Sequence, residues 1–388
     1  MIARLKKIDT VMLVIFILLV LLGAATLLSA SFAQADLDKK NPYFFFMIHV
    51  RHLGLGLAAV FFLYFVPYQL WVRLYWLLAL AAVFCLVLPL VSSLSQEVNK
   101  TLRWSPYLMF QPSEVSKLAV VCVLAYYFSH FSHKVRDFRY GVLFPVLLML
   151  LVAGLIYLGM DLGGSVIVCG IVYLMMVLGG VGVRWLVLMF GLLVFATYRL
   201  AMVVSYRSDR LVGWNNPWGD PSGTGLQIVQ SLYAFANGGV AGVGPGQSQQ
   251  KLFFLPEAFT DYIFAILGEE FGLIGVLLTA FLFLAFAGRG FVIARAAKNM
   301  SGFYLAAGMT LCVVIPAFLN MFVALSILPP KGLPLPFFSY GGSSMVVSCA
   351  AVGIILAVAS QSQEEKKPAQ AERPAPEPRG AHPAAAPV

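Results

Sequence analysis

The stretch 250-QKLFFLPEAFTDYIFAILGEEFG-272 carries the chain from a polar loop into an apolar run that continues to about residue 286, and it places Glu257, Asp261, Glu269 and Glu270 in or beside that run. The run is long enough to cross a bilayer as a helix. A carboxylate at membrane depth costs several kcal/mol unless it is paired or put to use, so each of the four needs a reason.

The rest of the chain repeats the apolar pattern. Of 388 residues, 60% are hydrophobic and 11% charged, and the mean hydropathy is +0.87; a soluble domain is roughly a quarter charged. Windows of about 20 apolar residues fall near 11–30, 47–67, 75–93, 113–132, 140–159, 163–181, 184–205, 262–286, 303–328 and 343–360. This predicts an all-α polytopic membrane protein with about ten transmembrane helices and one large extracytoplasmic loop, 206–261, between the seventh and the eighth. The N-terminal MIARLKK is basic, and Ala33-Gln34-Ala35 mimics a signal-peptidase site. The run before it is too long for a cleaved signal and more spans follow, so a retained signal anchor is expected.

The net charge of +9 reads as positive-inside bias rather than as a nucleic-acid surface, since no aromatic-and-basic patch accompanies it. With the N-terminus inside, the inner loops carry Arg4, Lys6, Lys7, Arg73, Lys134, Arg136, Arg139, Arg184, Arg289, Arg295 and Lys298. Both termini are then cytoplasmic, and 94–112, 206–261 and 329–342 share the outer face. Residues 1–360 form one membrane domain. The Pro/Ala-rich segment 361–388 is expected to be a disordered cytoplasmic tail.

Cys85, Cys122, Cys169, Cys312 and Cys349 all lie in apolar runs without metal-ligand spacing and read as packing residues. The glycines at 238, 239, 242, 244 and 246 fit neither dinucleotide nor Walker patterns, so no nucleotide cofactor is implied; they make either an anion-facing turn or a flexible loop. Asp261 opens the eighth span, as a helix cap or as a base at a membrane rim. In helical projection Gly268 and Gly272 lie within about 20° of its face, with Glu269 and Glu270 about 12 to 14 Å deeper. Glu114 and Lys117, three apart, form either a snorkelling ion pair or part of a site. Asp161 sits in the turn GMDLGGS, where turn chemistry alone would justify it. Arg103, Arg207, Arg210, Lys251 and Lys331 place cations on the outer face, against the inside bias. A possible carboxylate base, phosphate-pairing cations and a hydrophobic body suit an anionic group carried on a long lipid.

The run 329-PPKGLPLPFFSYGGSS-344 resembles the signature of the SEDS family (shape, elongation, division and sporulation), membrane glycosyltransferases that polymerise lipid II into peptidoglycan. Further matches are Arg103-Trp104, QPSE at Gln111 to Glu114 with Lys117, NPWGDPSGTGLQIVQSLYAFANGG, and LPEAFTDYIFA followed by GEEFGLIG. The resemblance spans residues 5 to 360, and Pro329-Pro330-Lys331-Gly332 is closer to the division branch than to the elongation branch. It implies that Asp261 is the catalytic general base. It gives substrate-binding places to Arg103, Glu114, Lys117, Asp161, Arg207, Arg210, Lys251, Glu257, Lys331, Ser339 and Ser343. A divalent cation, Mg or Mn, could share the phosphate role, although no ligand set is legible. The implied partners are lipid II and the nascent lipid-linked glycan, a class B penicillin-binding transpeptidase and small single-span division proteins. The implied location is the bacterial cytoplasmic membrane at the septum. A lipid II transporter is the rival reading, and would hold its charges near the bilayer midplane; a noncatalytic scaffold would tolerate Asp261→Asn.

Overall fold

The computed structural model describes residues 8–91, 95–96, 101–105, 108–203 and 205–364, with the backbone alone for 95–96, 101–105, 108–110, 205–207 and 363–364. The expected tail, 365–388, lies outside the described residues.

Ten helices follow the ten apolar windows. They are α1 (Thr10–Lys39), α2 (Phe44–Phe65), then, after the short α3 (Tyr68–Arg73), α4 (Tyr75–Val91), α5 (Pro112–His130), α6 (Phe144–Leu158), α7 (Leu162–Gly179), α8 (Val183–Met202), and, beyond the loop helices α9 (Ser205–Asn215) and α10 (Leu226–Gly238), α11 (Ile263–Ala296), α12 (Met300–Ala324) and α13 (Gly342–Glu364). Eight of them are long and apolar enough to span a membrane on their own composition; α4 is shorter, at 17 residues, and α5 carries the Glu114–Lys117 pair. The protein is multi-pass. A three-stranded antiparallel sheet that hydropathy does not announce joins α4 to α5: β1 (Ser95–Gln96), β2 (Thr101–Ser105) and β3 (Leu108–Phe110), with Arg103 opposite Met109.

The centre of the bundle is α12 and α13, whose most apolar windows are 72% and 83% buried, against 11% for α8, which stands at the periphery. Helix α13 packs on α2, and α12 packs on α11 and α5. Two sets of polar bonds mark the two ends. At one end Asp9 caps α1 through the Met12 N–H and pairs with Arg289 of α11 at 2.5 Å. At the other, Gln111 before α5 meets Asp161 before α7, and its N–H is accepted by the Ser343 hydroxyl of α13. The loop between α8 and α11 lies at this second end, the loop end: Trp214 of α9 donates to the Ser326 carbonyl, and Ser231 of α10 to the Ala324 carbonyl.

Candidate functional site

A cavity of about 990 Å³ opens among α7, α8, α9 and the segment after α12. Its polar mouth at the loop end is formed by Asp161, Arg210, Glu257, Asp261 and Lys331, and its body by Cys169, Tyr173, Phe190 and Leu193. The polarity therefore changes from a charged rim to apolar walls along α7 and α8.

Asp261 is half-buried at that rim. Helix α11 begins two residues later with Tyr262 as its N-cap, so Asp261 is not the cap that the sequence allowed. A tight turn holds it: the Glu257 carbonyl accepts from the N–H groups of Thr260, Asp261 and Tyr262, the last two at 3.1 Å. Glu257 reaches this position with φ of +56°, a conformation that is strained for a side chain of this kind and that recurs at functional sites. The Tyr262 phenol is buried without a hydrogen-bond partner; burial pushes its pKa up, Arg210 opposes that rise and Asp261 adds to it. Gly332 lies close to the carboxylate, where a Cβ would stand 2.8 Å from Asp261 Oδ2.

Glu269 and Glu270 answer differently. Asp261 lies before the N-cap Tyr262 and is not helical, so the helical projection from it to Glu269 and Glu270 does not apply; beyond them Gly272 breaks α11 with φ of +63° and ψ of −161°. The break frees the carbonyls of Glu269 and Glu270 and the N–H groups of Leu273 and Ile274, and the glycine loop takes all four. Val243 and Gly244 donate to the two carbonyls at 3.0 and 3.1 Å, while Leu273 and Ile274 donate to Gly239 and Val240 at 2.9 and 3.2 Å. The loop is neither an anion-binding turn nor loose; it completes a broken helix. The side chains reinforce the join. Glu269 accepts from the Ser248 hydroxyl and the Gln250 N–H, and Glu270 pairs with Lys251 at 2.9 Å.

A family model described as a cell cycle protein, covering FtsW, RodA and SpoVE, matches residues 9–364. The chain belongs to the FtsW/RodA/SpoVE family. It is 37% identical over 347 residues to the probable peptidoglycan glycosyltransferase FtsW of Pseudomonas fluorescens, covering 88% of this chain and 85% of the relative. It is 36% identical over 359 residues to stage V sporulation protein E of Bacillus subtilis, covering 92% of this chain and 98% of the relative. Among solved structures, a chain of a peptidoglycan synthase complex that coordinates polymerization and crosslinking matches with a TM-score of 0.73 at 29% identity, covering 92% of this chain and 98% of that one. RodA of Thermus thermophilus matches at 0.65 and 25% identity, covering 91% and 96%.

Within this family fold, the residues expected to bind substrate divide. Arg210, Glu257 and Lys331 line the cavity with Asp261. Asp161 lines it too, but its carboxylate also caps α7 through the Gly164 N–H and accepts from Gln111 and Ser113, the local role that its turn allowed. Glu114 and Lys117 lie outside the cavity lining as a buried pair, the ammonium 2.9 Å from both carboxylate oxygens. Lys251 also lies outside the lining, and its three donors go to Glu270, Ser29 and the Gly246 carbonyl. Ser339 is buried and accepts from the Leu335 N–H, and Ser343 accepts from Gln111, so both hydroxyls organise loops. The side chains of Arg103 and Arg207 lie outside the described residues. No cluster of three His, Cys, Asp or Glu side chains among the described residues is placed to hold a metal. Asn320, absent from the sequence-based site, reaches the Asp261 carbonyl; its signal was an amide alone in an apolar span.

Proposed function

We propose that the chain is a peptidoglycan glycosyltransferase that polymerises lipid II, with Asp261 as general base. The carrying observation is the cavity: three carboxylates, Asp161, Glu257 and Asp261, and two cations, Arg210 and Lys331, at the mouth of an apolar slot about 990 Å³ in volume. That arrangement suits a polar headgroup on a prenyl chain, which lies along the slot between α7 and α8. The 4-hydroxyl of one lipid II attacks the anomeric carbon of the growing strand. A C–O bond forms, the bond to undecaprenyl pyrophosphate breaks with inversion of the α-linked donor to a β-1,4 linkage, and the hydroxyl proton passes to Asp261. Arg210 and Lys331 stabilise the charge that develops on the leaving pyrophosphate. A divalent cation, Mg or Mn, held mainly by the substrate phosphates, would neutralise pyrophosphate charge beside Arg210 and Lys331.

The excess of Lys and Arg at the end opposite the loops supports cytoplasmic termini and a reaction at the outer face. The relatives named FtsW and the Pro329–Gly332 segment support a septal role, and the match to a synthase complex supports a class B penicillin-binding transpeptidase as partner; small single-span division proteins complete the proposed set of partners. The test is polymerisation of labelled lipid II by the purified chain with its cognate transpeptidase. Polymer is expected; no polymer, together with translocation of lipid II across vesicles, would overturn the proposal in favour of transport.

A further inference from the structure

Asn320 is completely buried in α12 and spends both amide hydrogens on main-chain carbonyls, Asp261 O at 2.7 Å and Leu333 O at 2.6 Å. This fixes the orientation of the amide, because a flipped group would set its oxygen against both carbonyls. One side chain thus ties Asp261, one residue before the N-cap of α11, to the segment after α12. That segment supplies Lys331 to the cavity and brings Gly332 against the Asp261 carboxylate. The Asn320 Oδ1 is buried without a partner, so the amide is placed for its donors at the expense of its acceptor. An unsatisfied buried acceptor is destabilising, a cost that a residue kept only for packing would not carry.

We propose that Asn320 is a positioning residue, which holds the Asp261 carboxylate and the Lys331 cation in one register by clamping their main chains together. The inference rests on the reading of Asp261 as the base. Asn320 touches the two main chains from behind, so its loss shifts Asp261 and Lys331 relative to the reacting atoms, and the effect falls on the transition state more than on ground-state binding of the lipid. Displacement of a reacting group by about 1 Å can cost on the order of a hundredfold in rate.

The test measures kcat and KM for lipid II with the intact complex of the chain and its transpeptidase, comparing wild type with Asn320→Ala, Gly332→Ala and Asp261→Asn. Asn320→Ala should lower kcat at least tenfold with KM within about twofold, and Gly332→Ala, which presses on Asp261 Oδ2, should do the same. A folded Asn320→Ala with wild-type kcat, or one that raises KM alone, would overturn the inference. Should Asn320→Ala fail to fold, a wild-type kcat in Gly332→Ala overturns it instead. Activity in Asp261→Asn would sink the base and this inference together, whereas an inactive Asp261→Asn beside a fully active Asn320→Ala sinks the inference alone.

Discussion

Gly272→Ala tests the account of the broken helix. A Cβ there would strike the Gly242 N and stand 2.5 Å from the Val240 carbonyl, and the backbone lies at φ of +63° and ψ of −161°. If the variant keeps the break, it bears a conformation essentially reserved for glycine, costing about 1 to 3 kcal/mol, plus crowding. If α11 straightens instead, Leu273 and Ile274 recover helical partners. The N–H groups of Val243 and Gly244 and the carbonyls of Gly239 and Val240 then lose theirs, at roughly 1 kcal/mol each. Both routes lead to a loss of about 3 to 4 kcal/mol. On the per-residue unfolding entropy of globular proteins, that lowers the midpoint of a chain of this length by roughly 4 to 5 °C. The assay is thermal unfolding of the purified protein in detergent, with limited trypsin digestion read at Lys251, which the released loop would expose. A variant with the wild-type midpoint and the wild-type cleavage rate refutes the reasoning.

The Lys251–Glu270 pair is buried on both sides, so Lys251→Ala or Glu270→Ala alone should cost about 3 to 5 kcal/mol and the double variant less than either; chemical denaturation checks this, and additive losses would contradict it. A raised KM for lipid II in Lys251→Ala at unchanged stability would instead assign Lys251 to the substrate. At the opposite end, burial pushes the Asp9 carboxyl up, but the Arg289 guanidinium and the Met12 N–H outweigh it and hold it below its ordinary value. A depressed carboxyl contributes stability above its unfolded pKa of about 3.9, and that contribution is lost as pH falls through the folded value. Thermal midpoints should therefore drop on acidification below about pH 4, and Arg289→Gln should flatten the drop; an unchanged slope would exclude the pair as its source.

The spans were legible because crossing a bilayer requires only a local property, about 20 apolar residues in a row, and every window near a helix had it. Which carboxylate does what was not legible, because that depends on partners far away in sequence. Glu270 finds Lys251 and the Ser29 hydroxyl, the latter 241 positions off, and Glu269 finds Ser248. The residue letters could not say that Gly272 breaks its helix, nor that a glycine loop repairs the break. Hydropathy likewise passed over the small sheet, whose strands are only 2, 5 and 3 residues long. Asp261 was legible through its motif, and its place at the cavity rim one residue before the N-cap removes the competing reading as a helix cap. Arg210, Glu257 and Lys331 join it, while Glu114, Lys117 and Lys251 satisfy one another or their neighbours.

The most direct measurement of the central claim is glycan polymerisation from labelled lipid II by wild type and Asp261→Asn, each folded and bound to the transpeptidase alike. The account predicts polymer from the wild type and none from the variant, with lipid II binding retained in both. Equal polymer from the two would contradict it and remove Asp261 as the base.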